Sequence, residues 1–295
     1  MTTHVLYHDA CADGFCAAWA ANLSLRSLGP NFIPVQYGQP IPSVIQPGDR
    51  VYIVDFCYDE PEMRQLLAVT TNLVVLDHHQ SRKDLIHKLA AEFTDHAFPI
   101  FRFGDNISGG RMAWNYFHGN GLEEQQATTD VPWLVAYTED RDLWRWNLPR
   151  SRAISAGIKS HPFSLALWDD WHCAGSLAKD RLAKDGEAIL RYQDQVIDHH
   201  LLKPRWGAIN GNIALIVNAT TLISEIGQEL AKWAPVGACY FDVQDEHGGP
   251  TTRVWSLRST SGCDTDVSVI AAQFGGGGHK HAAGFTTDTS VLFLT

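Results

Sequence analysis

Short apolar stretches alternate with amphipathic or Ala-rich stretches through the first half of the chain. The apolar stretches predict β-strands, and most of the stretches between them predict helices. The predicted strands are residues 4–7, 32–37, 51–56, 73–76 and 99–103. Because strands and helices alternate, the pattern indicates an α/β fold with a mostly parallel sheet flanked by helices.

The second half of the chain has a different pattern. Residues 164–202 are charged with helical character, whereas further strands are predicted at 213–217, 238–243 and 252–257. A helix predicted at 267–274 runs directly into four glycines. We therefore divide the chain into a first domain of residues 1–175, a helical connector of residues 176–204 and a smaller α/β domain of residues 205–295.

Three of the predicted strands end in side chains that can bind metals. These are His8 and Asp9 after the first strand, Asp55 at the end of the third, and Asp77, His78 and His79 after the fourth. In parallel sheets, ligands bind outside the carboxyl ends of the strands. An acid that caps the following helix would explain one such strand end, but not three. The pattern therefore predicts a functional site at this edge of the sheet.

Composition narrows the class of partner. The chain has 295 residues, with 33 acidic and 23 basic side chains and a formal net charge of −10, which disfavours binding to long duplex nucleic acid. The six cysteines form no CxxC pair and are expected to be reduced thiols. We find neither a signal-peptide pattern nor an apolar run that predicts a membrane span. The expected location is the cytoplasm.

The tripeptide Asp-His-His occurs twice, at residues 77–79 and 198–200. The first copy follows an apolar strand, whereas the second lies in the charged connector, and we interpret the second as a solvated helix face. The first copy is accompanied along the chain by Asp13, Asp55 and Asp140. Carboxylates are ligands for Mg²⁺ and Mn²⁺, and Mn²⁺ also accepts imidazole. Two such ions can activate water for attack on phosphorus.

The chain resembles the DHH phosphoesterase superfamily, in the branch with a DHHA1-type second domain. Five motifs in the family's order carry the resemblance: H-x-x-x-x-D-G at residues 8–14, Asp55, Asp-His-His at 77–79, the Asp140 region, and FGGGGHKHAAGF at 274–285. The superfamily includes nanoRNases, phosphoadenosine phosphate phosphatases and dinucleotide phosphodiesterases. The resemblance implies a catalytic DHH domain, a substrate-binding DHHA1 domain and an active site in the cleft between them.

The resemblance also implies roles for individual residues. The implied metal ligands are His8, Asp13, Asp55, His78 and Asp140, and the implied cofactor is Mn²⁺ or Mg²⁺, as two ions. Asp77 is expected to orient His78 or to touch a metal. His79 is expected to face the substrate and stabilise charge on the phosphoryl group. Asp140 is chosen over Asp142 because it aligns better with the family's fourth acid.

The glycine-rich motif near the C-terminus predicts a second anion site. Consecutive glycines let backbone N–H groups approach a phosphate closely, and a neighbouring arginine can donate two hydrogen bonds to it. The predicted substrate-binding residues are Arg258, Gly276, Gly277, Gly278 and His279. A flexible linker is the alternative, but the apolar segment that follows at once favours a return to the core.

The start of one predicted helix and two neighbouring tryptophans each have two interpretations. Ser108 precedes two glycines at the start of a predicted helix, and it is either a simple N-cap or part of a phosphate-binding helix terminus. Trp144 or Trp146 is the best candidate for stacking on a base, although most tryptophans are expected in the core.

Cys11 departs from the family pattern, which places an acid two residues before Asp13. Asp9 then takes the acid's place, Cys11 binds a softer metal, or the first metal site is weak. Packing of Cys11 within the turn is a further alternative. Occupancy by two ions therefore remains open.

The predicted function is a metal-dependent phosphodiesterase that cleaves short oligonucleotides or dinucleotides to mononucleotides. Cyclic dinucleotides and 3′-phosphonucleotides are included among the expected substrates. One alternative is a pyrophosphate or polyphosphate hydrolase, although the GGGGH motif argues against a pyrophosphatase. A second alternative is a regulatory nucleotide-binding protein with a degenerate site. The oligomeric state is not predicted.

Overall fold

A computed structural model describes residues 1–94, 97–119, 131–244, 249 and 251–293. The chain divides into two compact units, Met1–Leu190 and Arg191–Thr295. This division falls inside one long helix, and each unit contains its own sheet.

The first unit contains a five-stranded sheet whose paired strands are all parallel. Its strands are β1 (Thr3–His8), β2 (Asn31–Val35), β3 (Arg50–Val54), β4 (Leu73–Asp77) and β5 (Ile100–Phe103), in the order β2-β1-β3-β4-β5. The predicted mostly parallel α/β sheet is thus confirmed. The order reverses beside β1, because β2 lies on one side of it and the later strands on the other. In such a sheet this reversal opens a crevice at the carboxyl edge.

Helices cover both faces of this sheet. The helices up to this point of the chain are α1 (Ala12–Leu25), α2 (Glu60–Val69), α3 (Lys83–Glu92), α4 (Gly109–His118), α5 (Trp133–Asp142), α6 (Ser151–Lys159), α7 (Leu165–Ala174) and α8 (Ser176–Leu201), which continues into the second unit. Side chains of α2 and α3 pack on one face, and the Ala-rich side of α1 packs on the other together with α4. A further cluster joins α1 to α5, α6 and α7 around Trp19 and Trp168. Helix α6 was not predicted from the sequence. Among the described helices, none combines the length and apolar character that a membrane span requires.

The register of the sheet aligns the ends of three strands. Tyr7 is opposite Val54, and Val54 is opposite Leu76. The residue that follows each of these is therefore at the same level at the carboxyl edge. These three residues are His8, Asp55 and Asp77.

The second unit contains a six-stranded mixed sheet in the order β10-β11-β9-β8-β7-β6. Its elements are β6 (Arg205–Ile209), β7 (Asn212–Asn218), α9 (Ile223–Leu230), β8 (Val236–Val243), β9 (Thr252–Arg258), α10 (Val267–Ala272), β10 (Gly277–His279) and β11 (Ala282–Asp288). Strands β6, β10 and β11 were not predicted. The predicted glycine loop is instead an edge strand, β10, which pairs with β11.

Candidate metal centre

The turn between β1 and α1 brings His8 and Asp13 to the same strand end. Helix α1 begins only four residues after His8. A Cβ atom at Gly14 would lie 2.3 Å from the carbonyl oxygen of His8, so a glycine is required for this approach. Asp13, in the first turn of α1, is consequently buried beside the end of β1.

The N-terminus of α4 faces two buried carboxylates. Ser108 Oγ accepts a hydrogen bond from the Arg111 N–H, so Ser108 is the N-cap of this helix. The Gly110 N–H donates to Asp13 Oδ1 at 3.1 Å. A Cβ atom at Gly109 would lie 2.4 Å from Asp55 Oδ1. The positive end of the helix dipole therefore stabilises negative charge on both carboxylates.

Asp55 lies at the centre of the strand-end row. It follows β3 directly and has a φ of 56°, a conformation that aspartate tolerates better than most residues with a side chain. Its N–H donates to the carbonyl of Leu76 on the neighbouring strand at 2.9 Å. Only 1% of the residue is exposed. A rare backbone conformation at a buried acid is typical of a functional site.

Three overlapping groups of side chains have the spacing of metal ligands. The groups are His8, Cys11 and Asp55; Asp55, His78 and His79; and Asp13, His78 and Asp142. Within each group the ligand atoms lie within 4.8 Å of one another. Asp55 belongs to two groups and His78 to two. The structure thus brings together four of the five predicted ligands.

The fifth predicted ligand is corrected by the structure. Asp140 is buried, but its two carboxylate oxygens accept hydrogen bonds from the N–H groups of Asn147, at 2.9 Å, and Leu148, at 3.3 Å. Asp140 therefore fixes the loop after α5. Asp142 joins the cluster instead, with Oδ2 3.6 Å from His78 Nε2.

Several buried polar atoms of the cluster have no hydrogen-bond partner. They are His8 Nδ1, Asp13 Oδ2, Asp77 Oδ2 and Asp55 Oδ2. Buried polar atoms in proteins are normally hydrogen-bonded. Because these atoms have no such partner, they are available to bind a ligand. Carboxylate oxygens with imidazole nitrogens fit a divalent cation such as Mn²⁺ or Mg²⁺.

The imidazole of His78 lies among three carboxylates. Its Nε2 is 3.1 Å from Asp55 Oδ1 and 3.8 Å from Asp13 Oδ2, besides its contact with Asp142. Burial opposes the charged form, but contact with Asp55 and the other two carboxylates outweighs burial and raises the pKa of His78 to about 10. In the metal-free protein, a protonated His78 thus supplies part of the positive charge that the cluster requires.

The carboxylates respond to the same surroundings in opposite directions. Burial, reinforced by the charges of Asp142 and Asp55, raises the pKa of Asp13 well above its ordinary value. Burial also raises the pKa of Asp142, against the opposing charge of His78. The pKa of Asp55 is lowered in spite of burial, because the imidazoles of His78 and His8 contact it. Crowded acids of this kind favour cation binding.

Asp77 holds the ring of His79 rather than that of His78, which differs from its expected role. Asp77 Oδ1 accepts hydrogen bonds from His79 Nδ1–H at 2.6 Å and from the His78 N–H at 2.8 Å. Burial opposes protonation of His79, and the bond to Asp77 outweighs it and raises the pKa. This contact fixes the ring orientation and assigns Nδ1 as the donor, so Nε2 is the atom that can reach a ligand.

Tyr37 and Arg82 extend the site beyond the predicted residues. The Tyr37 ring lies 5.5 Å from the ring of His8 and 6.1 Å from that of His79. The Arg82 guanidinium lies 5.0 Å from the Tyr37 ring centre and contacts Asp59. Tyr37 follows the end of β2, so the same strand-end rule that selected His8 could have found it.

The second unit contains the predicted anion-binding residues. Arg258 on β9 is opposite Ala282 on β11, and Ala282 is opposite His279 on β10. Directly opposite side chains share a face of a sheet, so Arg258 and His279 lie on one face with a small residue between them. The Arg258 guanidinium donates to Ser224 Oγ at 2.7 Å. Of the predicted glycines, Gly276 and Gly278 pack closely against β11, whereas Gly277 faces open space.

The second Asp-His-His copy lies near the C-terminal end of α8. Asp198 and His199 are exposed, and His200 is half-buried and its Nδ1–H donates to the carbonyl of Val196 at 2.9 Å. The two histidines line a cavity of about 360 Å³ in the second unit, together with Lys203 and Arg205. No carboxylate is among the described residues that line this cavity.

No family model matches the chain. Uncharacterized protein R106 of Acanthamoeba polyphaga mimivirus is 26% identical over 95% of this chain, which spans 66% of the length of that relative.

Solved structures of low sequence identity share the fold. RecJ from Thermus thermophilus in complex with Mn²⁺ has a TM-score of 0.52 at 15% identity, over 99% of this chain and 50% of RecJ. A crystal structure of exonuclease RecJ bound to manganese has a TM-score of 0.50 at 14% identity, over 98% of this chain and 86% of that one. An exopolyphosphatase-related protein from Bacteroides fragilis has a TM-score of 0.52 at 12% identity, over 99% and 88%. The chain therefore has the fold that RecJ shares with this exopolyphosphatase-related protein.

Proposed function

We propose that the protein is a metal-dependent phosphoesterase of the DHH superfamily. It hydrolyses phosphodiester bonds in short oligonucleotides or dinucleotides and releases mononucleotides. The observation that carries this proposal is the convergence of His8, Asp13, Asp55, His78 and Asp142 at the carboxyl edge of the parallel sheet. Their unpartnered buried oxygens match the ligand chemistry of Mn²⁺ and Mg²⁺.

Two ions fit the arrangement of the ligand groups. His8 and Asp55 belong to one group, Asp13, His78 and Asp142 belong to another, and His78 approaches Asp55 between them. Asp55 is therefore the residue that would contact both ions. When bound, such ions supply a hydroxide near neutral pH and stabilise charge on phosphorus oxygens.

His79 is the side chain assigned to the substrate. Its ring is held by Asp77, and 22% of its side chain is exposed although Asp77 is fully buried. A protonated Nε2 donates a hydrogen bond to a phosphoryl oxygen or to the leaving oxygen. The strongly buried Asp77 thereby acts as a positioning residue.

We assign Arg258, His279 and strand β10 to the binding of a substrate phosphate that is not cleaved. Arg258 and His279 share one face of the sheet, and Gly277 leaves its backbone open beside them. The guanidinium is already oriented by Ser224, so less conformational entropy is lost when it binds an anion. A single small anion site of this kind suits a short nucleotide, because long polymers require extended basic surface.

Hydrolysis of pyrophosphate or polyphosphate is the second candidate. The observation that favours it is the fold shared with an exopolyphosphatase-related protein. The same metal-activated water would serve both reactions, so substrate choice separates them. A regulatory nucleotide-binding protein with a degenerate site is the third alternative.

Turnover by the full-length protein tests these candidates. Metal-free protein is supplied with Mn²⁺ and assayed separately with six substrates: a dinucleotide, a long single strand, a cyclic dinucleotide, a 3′-phosphonucleotide, pyrophosphate and polyphosphate. The single strand has about 24 nucleotides, which is longer than one binding site covers. We expect the fastest turnover on the dinucleotide. Turnover of pyrophosphate or polyphosphate alone would contradict the proposal, and metal binding without any turnover would favour the regulatory alternative.

A further inference from the structure

The first ligand group contains a thiol where an acid is expected. Cys11 Sγ lies within 4.8 Å of ligand atoms of His8 and Asp55. We propose that Cys11 is a metal ligand, so that His8, Cys11 and Asp55 form a mixed nitrogen, sulfur and oxygen site for a borderline cation of the Zn²⁺ or Co²⁺ class. This inference rests on the proposed function to the extent that both require a metal ion at Asp55.

The backbone of the turn directs Asp9 away from this position. Ala10 has a φ of 53°, which reverses the chain between Asp9 and Cys11. The Asp9 N–H donates to the carbonyl of Val35 at 3.0 Å, and its own carbonyl accepts from Gln36 Nε2. The Asp9 residue is exposed. Asp9 thus lies outside the three ligand groups.

Packing does not account for Cys11. It occupies the N-cap position of α1, where cysteine is not among the preferred residues, and the Gly14 N–H interacts with its sulfur. It belongs to none of the buried apolar clusters of the described chain, whereas Cys16, one turn later, is fully buried in one of them. Apolar packing therefore explains Cys16 but not Cys11.

The charge around the thiol favours a cation. Asp13, Asp55 and Asp142 all act electrostatically on Cys11, so the surroundings of its sulfur attract a positive ion. On metal binding the S–H bond breaks, a metal–sulfur bond forms, and the proton passes to solvent. No change of oxidation state is involved.

The two ends of the centre then differ in ligand softness. Sulfur and imidazole select Zn²⁺ or Co²⁺ over Mg²⁺, whereas the group of Asp13, His78 and Asp142 contains two carboxylates and suits Mn²⁺ or Mg²⁺. The centre is therefore expected to take two different metals.

Cobalt spectroscopy of the full-length protein tests the thiolate ligand directly. Metal-free wild type is titrated with Co²⁺, and we expect a near-ultraviolet thiolate-to-cobalt charge-transfer band. The band should be lost in Cys11→Ser and Cys11→Asp and retained in the control Cys173→Ser, which alters an exposed cysteine. Zn²⁺ affinity should fall by about 10- to 100-fold in Cys11→Ser, since even the outer partners of a ligand contribute that much. In Cys11→Asp, Mg²⁺ binding should strengthen relative to Zn²⁺.

The wild-type spectrum decides the question even if a variant fails to fold. Bound Co²⁺ without a charge-transfer band, absence of Co²⁺ binding, or a band that survives in folded Cys11→Ser would overturn the assignment. Turnover with Mn²⁺ is measured on the same samples. Turnover without a charge-transfer band would support the proposed function and contradict the thiolate ligand. A band without turnover would support the thiolate ligand and contradict the proposed function.

Discussion

The same three residues, Asp-His-His, occur in both units of the molecule and have different surroundings. In the first unit, residues 77–79 end a buried strand, and His78 is 7% exposed among three carboxylates. In the second unit, residues 198–200 lie on α8, where the histidines face solvent and a cavity lined by Lys203 and Arg205. The first set of neighbours attracts a cation, and the second repels one.

This difference shows that the chemistry resides in the neighbours of the tripeptide. A histidine near carboxylates gains a proton or a metal, because either relieves the repulsion among buried acids. A solvated histidine at a helix C-terminus interacts mainly with water and with the helix dipole. The following predictions test this contrast.

Replacement of the central histidine should give the largest difference between the two copies. His78→Gln removes a ligand of two groups and a positive charge from among three carboxylates. We expect kcat/KM on a dinucleotide to fall by about 1,000-fold, which corresponds to about 4 kcal/mol. His199→Gln is the matched control and should stay within about twofold of wild type. Similar losses in the two variants would contradict the contrast.

The acids of α5 should separate activity from stability. Asp142→Ala removes a candidate ligand, and we expect kcat/KM to fall by about 100-fold. Asp140→Ala leaves the N–H groups of Asn147 and Leu148 without acceptors, and we expect unfolding free energy to fall by about 1–3 kcal/mol. Kinetics and thermal unfolding of both variants test this. Greater loss of Mn²⁺ affinity in Asp140→Ala than in Asp142→Ala would restore Asp140 as the ligand.

The sequence predicted the first sheet because each of its strands is a short apolar run followed by a helical segment. It did not predict β10 and β11, since glycine and alanine have low strand propensity and these strands depend on pairing with β9. Helix α6 was missed as well. It lies against α8, where Gly157 and Gly186 permit close contact, so its helical state depends on packing between distant segments.

The same reasoning explains which site residues were found. The backbone register of the parallel strands places His8, Asp55 and Asp77 in a row, independently of how side chains pack. The pattern of apolar strands in the sequence was therefore enough to predict these three residues. The choice between Asp140 and Asp142 depends on which side of α5 faces His78. Asp140 is buried as well as Leu134 and Thr138, so helical spacing alone could not have selected Asp142.

The aspartates of the two Asp-His-His copies should differ in their effect on a neighbouring histidine. Asp77→Asn weakens the bond that holds His79 Nδ1–H, and we expect kcat/KM to fall by about 10- to 100-fold. The pH profile of kcat should shift towards lower pH, because the charge that raises the pKa of His79 is lost. Asp198→Asn is the control, with an unchanged profile. The same pH profile in Asp77→Asn and wild type would contradict the role of Asp77 as a positioning residue.

Stability of the metal-free protein should depend on pH through His78. Its pKa is raised from 6.5 to about 10 on folding, so the folded state binds the proton more tightly. The resulting stabilisation is complete below pH 6.5 and is lost as the pH rises through about 10. We expect Tm to fall over this range by about 3–6 °C more in wild type than in His78→Gln. Saturating Mn²⁺ should abolish the difference, and His199→Gln should behave as wild type.

The smallest effect is expected at His200, whose side chain donates a hydrogen bond to the backbone of the same helix. His200→Ala removes the hydrogen bond from Nδ1 to the carbonyl of Val196. Water can replace this donor at a half-buried helix end, and the favourable interaction of a histidine with the helix dipole is small. We therefore expect a loss of about 0.5 kcal/mol or less in unfolding free energy. Turnover and Mn²⁺ affinity should not change, because no carboxylate among the described residues lines the adjoining cavity. A loss of Mn²⁺ affinity in His200→Ala would mean that the second copy binds metal, and the two copies would then differ in degree only.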